Sequence, residues 1–163
     1  MTKFLPLAKS WSHLGRLYTW QGRYPAAQEA CQTACDLYER ATGSRSLEFA
    51  MALQNLALVY DHQGQYGHAA TLYVRALAIA EKTLGHYSLE VAACLSSLGL
   101  MYTYEGQYQE AELVLESAWQ IYEKIQELTS ADFATYLNNL ALLYQSQDEE
   151  DSAESLYNPH RVP

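Results

Sequence analysis

Residues 53–85 read LQNLALVYDHQGQYGHAATLYVRALAIAEKTLG, and this stretch decides the fold. Leu53, Leu56, Ala57 and Tyr60 fall at i, i+3, i+4 and i+7, which places them on one face of a helix. Ala69, Tyr73, Ala76, Leu77 and Ala80 lay down a second such stripe. Gly64 lies between the two stripes, where a helix end needs a positive φ that glycine adopts without steric cost. The stretch therefore predicts two antiparallel helices joined by a glycine turn.

The same hairpin recurs along the chain. Leu14, Leu56, Leu98 and Leu140 are 42 residues apart, and so are Tyr18, Tyr60, Tyr102 and Tyr144. Gly22, Gly64 and Gly106 keep the step, as do Tyr24, Tyr66 and Tyr108, and Ala27, Ala69, Ala111 and Ala153. A fixed period over the whole chain means one unit stacked repeatedly, each unit depending on its neighbours for a core. Ser46, Ser88 and Ser130 precede each new first helix, followed two residues on by Glu48, Glu90 and Asp132. Serine caps a helix N-terminus, and a carboxylate there meets the positive end of the helix dipole. Gly15, Ala57, Gly99 and Ala141 put a small side chain at one fixed place, where two helices approach closely. The 14 Tyr, against 3 Phe and 3 Trp, follow from the repeat: most are packing residues whose hydroxyls reach the surface.

The pattern carried by Leu56, Ala57, Tyr60, Gly64, Tyr66 and Ala69 resembles the tetratricopeptide repeat, whose usual period is about 34 residues. The longer 42-residue unit, with YLNNLALLYQSQ at 136–147, is similar to the repeats of kinesin light chain and its bacterial relatives. The resemblance covers residues 8–157. It implies an all-α, right-handed superhelix of about four stacked antiparallel helix pairs. The units fall at 8–45, 46–87, 88–129 and a truncated 130–157, with tails at 1–7 and 158–163. In the last unit Asp148 replaces the turn glycine and Glu150 the tyrosine, and the reading places a short second helix there, its N-terminus on the Asp148–Asp151 run and its end near Tyr157, before Asn158-Pro159.

In such repeats the first helices line a concave face, and the resemblance places these residues on it. The first unit contributes Lys9, Ser12, His13, Arg16, Thr19 and Trp20; the second Met51, Gln54, Asn55, Leu58, Asp61 and His62. The third contributes Ala93, Ser96, Ser97, Leu100, Thr103 and Tyr104; the fourth Thr135, Asn138, Asn139, Leu142, Gln145 and Ser146. Asp61 is the one acidic residue of the 19 in this set, so the face reads as nearly neutral, with Leu58, Leu100 and Leu142 in a row. Asn55 and Asn139 match the family's peptide-holding asparagines, with Ser97 and His13 in place of the others. Asn and Gln offer donors and acceptors to a peptide backbone. Lys9, Arg16 and His13 make one end basic, suited to an acidic side chain or a terminal carboxylate with apolar residues over Leu58 and Leu100.

Composition excludes other classes. The net charge of -9 is poorly suited to nucleic acid or an anionic membrane. No apolar run is long enough to span a bilayer or to make a signal peptide. Cys31, Cys35 and Cys94 lack framework spacing, which suggests reduced thiols and a cytoplasmic protein; Cys31 and Cys35 take the core positions of Tyr73 and Leu77. There is no phosphate loop, no HExxH and no CxxC pair, and His13, His62, His68, His86 and His160 do not repeat as a set. The Asp148–Asp151 run lacks the spacing of a calcium loop. The reading is a non-catalytic module, without cofactor or metal, that binds a peptide or protein segment. Its alternatives are a self-assembling scaffold, which makes the chain a homo-oligomer, and a regulatory subunit.

Overall fold

The computed structural model describes residues 3–125 and 129–157, the side chains of Ser130 and of residues 152–157 excepted. Seven helices follow one another: α1 Phe4–Trp20, α2 Tyr24–Thr42, α3 Leu47–His62, α4 Tyr66–Leu84, α5 Leu89–Tyr104, α6 Tyr108–Lys124 and α7 Ser130–Tyr157. There is no strand among the described residues. Helices α1 and α2, α3 and α4, and α5 and α6 form hairpins, and α2 and α4 also pack on the first helix of the next unit. The chain is an all-α superhelix of about four repeats, the architecture expected from the period. α1 extends back to Phe4, so residues 4–7 are helical.

Each hairpin turn has the same physical cause. Gly64 has φ 75°, its N–H donates to the Asp61 carbonyl at 2.9 Å, and Gln65 N–H donates to the Tyr60 carbonyl at 2.9 Å. These two bonds satisfy carbonyls left over at the end of α3, and they require a left-handed residue at position 64. The same long bond closes the other hairpins, from Arg23 to Tyr18 and from Gln107 to Tyr102. Ser46 and Ser88 act as caps: their hydroxyls accept from Phe49 N–H at 3.1 Å and Val91 N–H at 3.3 Å. α7 begins at Ser130 itself, so the cap position is one residue earlier. Thr129 takes the role, with Asp132 N–H donating to its hydroxyl at 3.2 Å.

Small side chains set the helix spacing. A Cβ on Gly15 would lie 2.5 Å from Cys31 Sγ, and one on Gly99 would lie 2.6 Å from Leu115 Cγ. Both are inside contact distance, so α1–α2 and α5–α6 approach closely because glycine is there. Leu53, Leu56, Val59, Met101, Leu115 and Ile121 fill the core between units, with Cys31, Cys35 and Cys94 also buried and free.

The fourth unit departs from expectation. α7 is one helix of 28 residues, with no turn at Asp148 and no separate second helix among the described residues. The Asp148–Asp151 run therefore lies inside α7 rather than at a helix N-terminus. One contribution is local: every positive φ among the described residues belongs to a glycine, and Asp148 replaces the glycine that closes the other three hairpins. Gln145 Nε2 also donates to Glu149 Oε1 at 3.0 Å, bridging the would-be turn at helical spacing.

Candidate peptide-binding groove

The first helices α1 and α3 enclose a groove of about 560 Å³. Lys9, Ser12, His13, Arg16, Thr19 and Trp20 line it from α1, and Met51, Asn55 and Leu58 from α3. These residues meet because i, i+3, i+4 and i+7 positions of two parallel first helices face the same side. Three lining residues were absent from the inward set read from sequence: Tyr38 of α2, Glu48 and Ala52. Tyr38 belongs to the second helix α2, which packs on α3. Glu48, in the first turn of α3, corrects the reading of Asp61 as the sole inward acid.

Lys9, His13 and Arg16 are exposed along one edge. Among the described residues the one ion pair is His86–Glu81, so neither Lys9 nor Arg16 is neutralised by a salt bridge there. The apolar part of the lining is Trp20, at the end of α1, with Met51 and Leu58 of α3; they are 87%, 55% and 39% exposed. Trp20 stands free for a structural reason. His62 stacks on Tyr24 of the preceding unit (centroids 5.7 Å apart, planes 8°), and Tyr104 stacks on Tyr66 in the same way (4.5 Å). Trp20 holds the same repeat position in the first unit, and no tyrosine stacks on it among the described residues.

The other expected residues divide into two groups. Leu100 and Leu142 are half-buried, Ser97 and Gln54 partly exposed, and Asn138 exposed, all outside the groove of α1 and α3. His62 is outside it too, held in its stack. Ser96 and Asn139 are 2% and 8% exposed. Asn139 Nδ2 donates to both the carbonyl and the hydroxyl of Ser96, each at 3.0 Å, and joins α7 to α5. Asn55 Nδ2 makes the corresponding bond to Ser12 Oγ at 3.2 Å, joining α3 to α1. Each bond spans 43 residues, one more than the period, and that offset is the signal that would have revealed the pairing. Thr19 and Thr103 are also spent, donating to the Gly15 and Gly99 carbonyls at 2.8 Å.

Titration behaviour follows burial. Burial pushes the Cys31 thiol up to about 11 and those of Cys35 and Cys94 to about 12. These are protonated, unreactive thiols at neutral pH. Burial likewise raises the Asp61 carboxyl, with His62 opposing the rise. Among the described residues no three His, Cys, Asp or Glu side chains converge as metal ligands, and no helix is long and apolar enough to cross a membrane.

Comparison with known proteins places this architecture. A sequence profile of the tetratricopeptide repeat matches residues 6–82 and again 62–124, and a second matches 133–157. The chain belongs to the tetratricopeptide repeat family. Repeats of this family are in general protein-interaction modules and generally non-catalytic. No curated protein sequence matches the chain. Among solved structures, it is similar to BtubC (BKLC) from P. vanneervenii at 25% identity and a TM-score of 0.79, over 91% of this chain and 59% of that one. It thus spans about three-fifths of BtubC. It is also similar to two structures of nearly identical TPR-like repeats from Podosopora anserina, described as kinesin light chain. Both are 25% identical, with TM-scores of 0.72 and 0.71, over 94% and 93% of this chain and 73% and 72% of those. The solved neighbours of this tetratricopeptide repeat chain are kinesin-light-chain-like.

Proposed function

We propose that this chain is a non-catalytic module that binds a peptide or protein segment on its concave face, in the groove between α1 and α3. The observation that carries the reading is that one groove brings a basic edge of α1, Lys9, His13 and Arg16, together with the exposed apolar side chains Trp20, Met51 and Leu58. Such a groove suits a segment with an acidic side chain or a terminal carboxylate beside a large apolar residue. The helices hold the walls in place before the ligand arrives, so little ordering cost falls on binding. Ser12 and Asn55 are bonded to each other and still partly exposed, which leaves the asparagine carbonyl free to accept from a peptide N–H.

A displayed random-peptide library selected on the wild-type chain tests this. Enriched peptides are expected to combine Asp or Glu with a large apolar residue. Reversing charge with Lys9→Glu plus Arg16→Glu is expected to weaken them by about tenfold or more. Binders indifferent to both changes, or no enrichment at all, would refute the groove.

A further inference from the structure

The face that distinguishes the fourth unit from the others is on α7. Ala134, Leu137, Ala141 and Tyr144 stand at the repeat positions of Ala50, Leu53, Ala57 and Tyr60 in α3 and have the same four residue types. In α3 this face is covered by α4: Ala50 and Ala57 are 0% exposed and Leu53 2%. In α7 all four are exposed, Leu137 by 44% and Tyr144 by 50%, because α7 runs straight on where the other chains of helix fold back. The face also lies apart from the groove described above, which is built on α1 and α3.

We propose that this face of α7 is a second docking surface, for an amphipathic helix of a partner protein that carries an alanine-rich stripe like that of α4 and Lys or Arg at its N-terminal end. The stripe follows from the identity of the two faces: on α4, Ala76 shares a buried cluster with Ala50 and Leu53, and Ala69 shares one with Ala57. The basic end follows from charge. In the complete hairpins the second helix starts beside the end of the first, so an incoming antiparallel helix starts beside Asp148, Glu149, Glu150 and Asp151, all exposed. Glu110 and Tyr108 of α6 face the same run across a cleft of about 600 Å³, which adds a further carboxylate. Positive side chains and the positive end of the incoming helix dipole both suit that place. A second copy of this chain that exchanges α7 does not. Two α7 helices exchanged in the hairpin register would cross at their acidic runs and set like charges against each other.

The probe is a peptide of residues 65–85 of this chain, braced as a helix by a lactam bridge on its solvent side. It is made in two forms, preceded by Lys-Lys or by Glu-Glu, and titrated onto the whole chain by fluorescence anisotropy. The lysine form is expected to bind more tightly by about fivefold or more, the difference closing in about 0.5 M NaCl. Ala141→Glu is expected to weaken both by about tenfold or more while leaving binders selected on the concave groove unaffected. Leu137→Glu is a second variant with the same expected loss, and an unchanged circular dichroism melt establishes that each variant is folded. The proposal is overturned if neither peptide binds at up to about 1 mM, if Ala141→Glu leaves binding intact, or if the glutamate form binds as well as the lysine form. A chain dimer in sedimentation that Ala141→Glu disperses would also overturn it, by making a second copy the occupant.

Discussion

Replacing Gly99 by alanine sets two effects of known sign against each other. An alanine Cβ at 99 would lie 2.6 Å from Leu115 Cγ, 2.8 Å from Cδ2 and 3.3 Å from Cδ1. Carbon atoms in good contact sit about 3.5–4.0 Å apart, so α5 and α6 must separate by several tenths of an ångström or Leu115 must leave its rotamer. Such overpacking costs about 1–3 kcal/mol. Against it, alanine is about 1 kcal/mol better than glycine in a helix interior. Leu115 is wholly buried, so it has no empty space to move into and the packing cost prevails. Gly99→Ala is expected to destabilise by about 1 kcal/mol, a fall in melting temperature of about 2–4 °C for a chain of this size. Leu115→Ala alone is expected to cost about 2–5 kcal/mol through its cavity. In the double variant the new methyl group occupies part of that cavity, so the two changes together cost less than their sum. Urea denaturation of the four proteins gives the cycle directly. Ala57 shows that alanine is accommodated at this repeat position when the neighbouring second helix is built for it. A rise in stability for Gly99→Ala, or strict additivity with Leu115→Ala, would refute close helix approach as the reason for glycine.

Two further outcomes follow from caps and thiols. Ser88→Ala removes the hydroxyl that accepts from Val91 N–H and is expected to cost about 1 kcal/mol by urea denaturation, with Ser88→Asp retaining most of it. Cys31, Cys35 and Cys94 have folded pKa values raised above the ordinary 9.0, so the unfolded chain releases these protons first. Stability contributed by the buried neutral thiols is present below pH 9 and is lost between pH 9 and about 11 to 12, at up to about 1.4 kcal/mol per pH unit for each group. Denaturation midpoints measured from pH 7 to 11 are expected to fall along that course, and a thiol reagent at pH 7 to label the three cysteines no faster than the chain unfolds.

The sequence by itself determined what repeats. Helix faces, glycine turns, the Ser46 and Ser88 caps and the burial of the cysteines all follow from local rules applied to the 42-residue unit, because propensity and periodicity act within one hairpin. Two things needed the tertiary structure. The partners of Ser96 and Asn139 lie in adjacent units, and a residue that looks free to bind on one helix is consumed by a bond only the stacking creates. The course of α7 was the other: a missing glycine removes the reason to turn, but whether the chain turns at another residue or runs straight depends on the energy of the whole final unit. That choice left Ala134, Leu137, Ala141 and Tyr144 uncovered although their residue types are those of a buried face.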